Sequence, residues 1–138
     1  MFDHPSYDGH QGVHLFEDKA SGLKAIIAVH STALGPAAGG CRMWNYATGE
    51  EALRDALRLS KGMSFKNAMA GLPLGGGKAV IWGNSKTDKS PALFEAFGRA
   101  IESLNGTYYT AEDVGISTKD MEIVATQTKF VAGLDQGE

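Results

Sequence analysis

Lys66 and Lys78 stand on either side of Gly75-Gly76-Gly77 in the stretch Lys66-Asn-Ala-Met-Ala-Gly-Leu-Pro-Leu-Gly-Gly-Gly-Lys78-Ala-Val-Ile-Trp82. An ammonium taken out of water loses solvation, so two kept near one another in apolar company point to a negative ligand or a developing negative charge. The three glycines permit a tight turn and a close approach of backbone to a ligand before the apolar strand Ala79 to Trp82. This places Lys78 at a strand edge beside exposed amides. Further along, Asp113 in Ala111-Glu-Asp-Val-Gly115 offers a carboxylate able to take up and return protons. On these residues alone a plainer reading stands beside the chemical one: a glycine-rich loop with two solvated lysines, and a turn carboxylate satisfied by its own backbone.

A Gly-Gly-Gly-Lys string invites comparison with two phosphate loops, and neither fits. The P-loop needs a glycine six places before its lysine and a Ser or Thr after it; those places hold Leu72 and Ala79. A dinucleotide fingerprint opens a helix, whereas the residues after Lys78 have strand character. A non-catalytic assembly module, or an anion- or phosphate-binding module built on a Gly75–Gly77 loop, remains the rival reading.

The elements that must position these side chains follow from the apolar pattern. Gly12 to Glu17 and Leu23 to His30 are expected strands around the turn Asp18-Lys-Ala-Ser-Gly22, the second almost wholly apolar and therefore covered on both faces. Gly35-Pro-Ala-Ala-Gly-Gly-Cys-Arg42 breaks the pattern where a strand has just ended, a place where open α/β sheets build ligand sites. Thr48 with Glu51 predicts a capping box, opening a helix whose apolar face carries Ala52, Ala56, Leu57 and Met63 and which delivers Lys66 to its end. Ser90-Pro91 starts a second helix that Asn105-Gly106 stops. A short strand, Thr107 to Thr110, runs into the turn bearing Asp113, and Ser117 with Asp120 caps a third helix. The alternation predicts an α/β fold, a three-layer α/β/α sandwich with a mostly parallel sheet and an antiparallel N-terminal segment.

The 138 residues suggest one domain with a substantial core, and the 18 glycines sit in clusters between periodic segments, so backbone geometry matters at several loops. A net charge of -3 without a block of Lys or Arg gives no footprint for nucleic acid. Cys41 is the only cysteine, which excludes an intrachain disulfide and makes a reducing compartment the simplest setting. No stretch reaches the ~20 apolar residues of a membrane span, and a cytoplasmic protein is expected. His10 and His14 have helical ligand spacing, but Gly9, Gly12 and the strand-like run after them argue against a helix, so no metal site is expected.

Taken together, Gly35-Pro-Ala-Ala-Gly-Gly-Cys-Arg, Lys66-Asn, Leu72-Pro-Leu-Gly-Gly-Gly-Lys and Thr110-Ala-Glu-Asp-Val-Gly resemble the substrate-binding domain of the NAD-dependent leucine, phenylalanine, valine and glutamate dehydrogenases. The resemblance covers nearly the whole chain, in order, and is nearest to the leucine and phenylalanine branches. It implies that Lys66 binds the substrate α-carboxylate, that Lys78 is the catalytic lysine, that Asp113 is the general acid/base, and that Gly39, Gly40 and Met63 line the substrate. Oxidative deamination fits those residue types: an amino acid becomes an imine, water adds, and the carbinolamine collapses to a 2-oxo acid and ammonia. A carboxylate moves the protons and a lysine steadies the developing negative charge.

By the same resemblance, the glutamate enzymes place a lysine where this chain has Ala38, to hold a side-chain carboxylate, and the leucine enzymes a leucine. An unpaired carboxylate in an apolar pocket would cost several kcal/mol, so an apolar substrate side chain is expected, and alanine leaves room for a bulkier one; branched aliphatic and aromatic substrates both stay open, with a slight lean to the aromatic. Ala111 is expected to line the same pocket. A complete relative would continue into a Rossmann domain carrying NAD, and no such fingerprint occurs before Glu138. Residues 1–138 are therefore expected to be a substrate-binding and oligomerisation domain, inactive without the cofactor domain. Its partners are an amino acid or 2-oxo acid and further copies of itself. Val13, Leu15 and Phe16 of the first strand are candidates for the subunit contact.

Overall fold

In the computed structural model, which describes residues 1–133, β1 (Gly12–Asp18) and β2 (Leu23–Ser31) form an antiparallel hairpin with Phe16 opposite Ala25 and Asp18 opposite Leu23. Gly22 closes it at φ 82, a left-handed conformation costly for any residue with a Cβ. β3 (Ala37–Ala38) and β4 (Cys41–Trp44) follow, then α1 (Gly49–Met69), β5 (Gly75–Trp82), α2 (Pro91–Glu102), β6 (Tyr108–Tyr109) and α3 (Thr118–Val124).

The sheet runs β1-β2-β5-β3-β6, with β4 continuing along the same side of β5 as β3. β2 is antiparallel to β5, whereas β3 and β4 are parallel to it and β6 is parallel to β3. The sheet is thus antiparallel through its N-terminal hairpin and parallel beyond β5. α1 covers one face, where Ala52 and Ala56 meet Ala28, Val80 and Tyr46. α2 and α3 cover the other, where Phe94, Phe97, Ile101, Met121 and Val124 bury against Leu23, Ala25, Ile27 and Ile81. This is the expected three-layer sandwich. β2 is covered on both faces, which is why its sequence reads as one apolar run instead of an alternation. No described helix is long and apolar enough to cross a membrane.

Helix starts obey their local signals. Thr48 Oγ1 accepts from the Glu51 amide at 3.2 Å, but the Glu51 carboxylate reaches back to the Ala47 amide, so the expected box closes one residue early. Ser90 accepts from the Leu93 amide with Pro91 in the first turn, and Ser117 and Asp120 cap one another reciprocally. Asn105 and Gly106, at φ 55 and 85, turn the chain away after α2.

Two expectations are corrected. Gly35–Arg42 is not simply a break, because it contains β3 and the start of β4. Gly75–Gly77 is not a loop, and Lys78 is not at a strand edge: the glycines are the first residues of β5, buried, and Lys78 lies inside this central strand. The glycines are there to let other chain segments close in. A Cβ on Gly75 would sit 1.9 Å from the Ser31 carbonyl oxygen, on Gly76 2.2 Å from the Ser64 amide nitrogen, and on Gly77 2.7 Å from the Tyr108 ring. Contacts so short forbid a side chain.

Candidate functional site

Alternation along β5 turns Lys78 to the same side as Val80, which packs towards α1, and away from the core under α2. Lys78 is 6% exposed, and its Nζ donates to Asp113 Oδ2. Asp113 reaches this position from the segment after β6, which is tied to the sheet by the Met43 amide bonded to Val114 O at 2.9 Å. Gly115 makes the approach possible: it has φ 81, and a Cβ there would lie 2.3 Å from the Met43 oxygen.

Gly39 and Gly40 form the gap between β3 and β4. Pairing of Ala38 with Gly76 and of Cys41 with Ala79 keeps one offset across the gap, so the two glycines run beside Gly77 and Lys78. A Cβ on Gly39 would meet the Gly77 oxygen at 1.7 Å and the Met63 side chain at 3.2 Å; one on Gly40 would meet the Asp113 Cβ at 2.8 Å. Lys78, Asp113, Gly39, Gly40 and Met63 therefore share one locality. Ala38 is half-buried next to them, and Ala111 accepts from the Cys41 amide at 2.7 Å, also half-buried. Lys66 lies in the last turn of α1, exposed, and makes no ion pair among the described residues. Its backbone is held in place by its neighbour: Asn67 Nδ2 donates to Gly75 O at 2.8 Å and to Ala38 O at 3.4 Å.

Several participants were not singled out in the sequence. Tyr108, fully buried, donates through its hydroxyl to Gly39 O at 2.7 Å, so the ring that fills the space over Gly77 also fixes the Gly39 carbonyl. Arg42 Nη2 lies 3.7 Å from Asp113 Oδ2, and Arg42 Nη1 lies 3.4 Å from Asp55 Oδ2. Asp55 in turn accepts from Tyr46 at 2.8 Å and from Arg58 at 2.7 Å. The only available signal for Arg42 was its place directly after the Gly-Gly-Cys of a quoted motif, since an arginine in a short strand carries no periodic mark. Burial alone would raise the Asp113 carboxyl. The hydrogen bond and charge of Lys78, the Val114 amide and the Arg42 charge outweigh it and hold that carboxyl below the ordinary range.

The phosphate-module reading does not survive this packing. The Gly75 amide donates to Pro36 O at 3.0 Å, and the space above all three glycines is filled by Ser31, Ser64 and Tyr108. No cradle of open amides is left for a phosphate or for the pyrophosphate of a dinucleotide.

The fold is a three-layer α/β domain with a buried lysine-carboxylate pair beside a glycine gap. Residues 10–130 match the Glu/Leu/Phe/Val dehydrogenase dimerisation domain, and the chain belongs to that family. It is 59% identical over 129 residues to a leucine dehydrogenase of Geobacillus stearothermophilus, covering 94% of this chain and 35% of that protein. To a valine dehydrogenase of Streptomyces virginiae it is 57% identical over 130 residues, covering 94% and 36%. The crystal structure of L-tryptophan dehydrogenase from Nostoc punctiforme superposes with a TM-score of 0.86 at 47% identity, covering 89% of this chain and 37% of that one. The chain thus spans little more than a third of the length of the relatives it matches.

Proposed function

We propose that the chain is the substrate-binding and catalytic half of an NAD-dependent amino-acid dehydrogenase that reversibly deaminates an apolar L-amino acid to a 2-oxo acid and ammonia. The observation that carries this is the buried Lys78 ammonium meeting Asp113 beside the Gly39–Gly40 gap and Met63. Lys66 binds the substrate α-carboxylate as a fixed point charge, its position set by Asn67. Lys78 polarises the substrate oxygen and steadies negative charge as the carbinolamine collapses. Asp113, ionised at neutral pH, takes a proton from the attacking water and returns one to the departing amine. Met63 and Ala38 border the apolar side chain, and Ala111 stands close by. The relatives named leucine, valine and tryptophan dehydrogenases share an apolar substrate class, in keeping with alanine at position 38.

NAD supplies hydride acceptance when bound. The described residues do not fit it, since the glycines that might have cradled a pyrophosphate are closed off, and we assign its binding to sequence other than this chain. The family's dimerisation domain supports assembly into a homo-oligomer.

The test is a titration of the chain with 4-methyl-2-oxopentanoate, phenylpyruvate, 2-oxoglutarate and ATP, following the amide signals of Gly39, Gly40 and Gly75 to Gly77. Weak binding of the two apolar 2-oxo acids, with shifts at Gly39 and Gly40, is expected. Shifts with ATP alone would sink the reading, and a preference for 2-oxoglutarate would sink the role given to Ala38.

A further inference from the structure

Arg42 connects Asp113, which the deamination reading uses, to Asp55, which it does not. Its guanidinium stands between Asp113, at 3.7 Å, and Asp55 of α1, at 3.4 Å, and Asp55 is itself clamped by the Tyr46 hydroxyl and by Arg58. Charges therefore alternate without interruption from Lys78 through Asp113, Arg42 and Asp55 to Arg58, linking β5, the segment after β6, β4 and α1. Arg42 is also paying for its place, because its Nε is buried with no hydrogen-bond partner among the described residues. An orphaned donor is a cost that an aliphatic residue in the same strand would avoid. The guanidinium is kept here together with its two carboxylate partners.

We infer that Arg42 is a positioning residue that holds the Asp113 carboxylate in its place between β4 and β5 when Lys78 is shared with a substrate. The inference rests on the proposed deamination. When a 2-oxo or amino acid enters the site, the Lys78 ammonium shares its three N–H donors between the substrate oxygen and Asp113, which weakens its hold on the carboxylate. A carboxylate left alone in a half-buried site would rise in pKa and swing towards water. Arg42 stays in place because its second anchor, Asp55, belongs to the helix that also carries Met63 and Lys66. Its planar fork suits two carboxylates at once, which a lysine does not. The groups facing Asp113 are Lys78 from β5 and Arg42 from β4, with Asp55 behind Arg42 and the buried Cys41 and Tyr108 further off.

The test follows the Asp113 carboxyl carbon by NMR across pH in the 138-residue chain, as wild type, Arg42→Gln and Arg42→Lys. Arg42→Gln should move the Asp113 midpoint to higher pH, with Arg42→Lys falling between it and wild type. An unchanged midpoint in whichever variants fold overturns the inference. A measurement on wild type guards against loss of folding: the Arg42 Nη signals should titrate together with Asp113, and their failure to do so also overturns it. Binding of 4-methyl-2-oxopentanoate, read separately at Gly39 and Gly40, keeps the two proposals apart. Absent binding removes the deamination reading and with it the use proposed for Arg42, whereas intact binding with uncoupled titration removes the role of Arg42 alone.

Discussion

Removing the Asp113 carboxylate leaves a buried ammonium with its main partner gone, while removing Lys66 exposes nothing that was hidden. The two substitutions should separate stability from binding. Asp113→Asn is expected to destabilise the fold by about 1–3 kcal/mol at pH 7, the usual cost of a buried polar group left short of its partner. The pH dependence has a definite sign. A carboxyl held below its ordinary range in the folded state contributes stability that is present above the unfolded value of about 3.9 and is lost as pH falls through the folded value. Urea midpoints at pH 7 and pH 3 should therefore converge between wild type and Asp113→Asn as the pH drops; a constant gap would show that Asp113 is not paired in the native state. Lys66→Met should leave the urea midpoint unchanged and weaken 4-methyl-2-oxopentanoate binding by at least about tenfold, as loss of one charge-assisted hydrogen bond requires. Equal binding by calorimetry would free Lys66 of its role. Residue types alone could not show that Lys78 and Asp113 meet, because the contact spans two strands and a turn; only the resemblance carried by their flanking motifs linked them.

At the scale of elements, the decisive contact is α1 against β5. Gly76 admits the helix backbone, and a Cβ there would lie 2.2 Å from the Ser64 amide nitrogen and hydroxyl and 2.6 Å from the Ser60 oxygen. Gly76→Ala must push α1 off the sheet and move Met63 and Lys66 with it, at a cost of about 1–3 kcal/mol or above, whereas Gly62→Ala, in open space on the same helix, should gain about 0.5–1 kcal/mol. Thermal unfolding of the two variants checks both signs, and a tolerated Gly76→Ala would mean that α1 is not seated as described. The same contact explains what the sequence hid. Strands β1 and β2 and all three helices were legible because their apolar spacing and caps are local signals, as at Ser90-Pro91 and Ser117-Asp120. The start of β5 and the whole of β3 were not, because Gly75–Gly77 and Ala37–Ala38 have no side-chain pattern and are made strands by their neighbours.

For the whole molecule, the sheet poses a problem that one copy leaves open. β1 is the last strand on its side, and its outer edge has no partner strand among the described residues. Phe16 turns inward to the core under α2, whereas Leu15 faces the α1 side at 71% exposure, beside Ile26, Trp82 and Leu53 in a groove of about 540 Å³. A flat strand with free backbone groups and an exposed leucine invites pairing with another chain unless something blunts it, and only Glu17 and Asp18 near its end do so. Two copies related by a two-fold axis would continue the sheet antiparallel across β1 and cover Leu15 in both at once. The chain is therefore expected to sediment as a dimer or larger assembly, and Leu15→Lys, which buries no charge in the isolated copy, should shift it to monomer while leaving its circular dichroism unchanged. An oligomer insensitive to Leu15→Lys would place the contact elsewhere than β1, and a wild-type monomer at concentrations of about 10⁻⁴ M would show that the match to a dimerisation domain does not extend to assembly by this part of the protein alone.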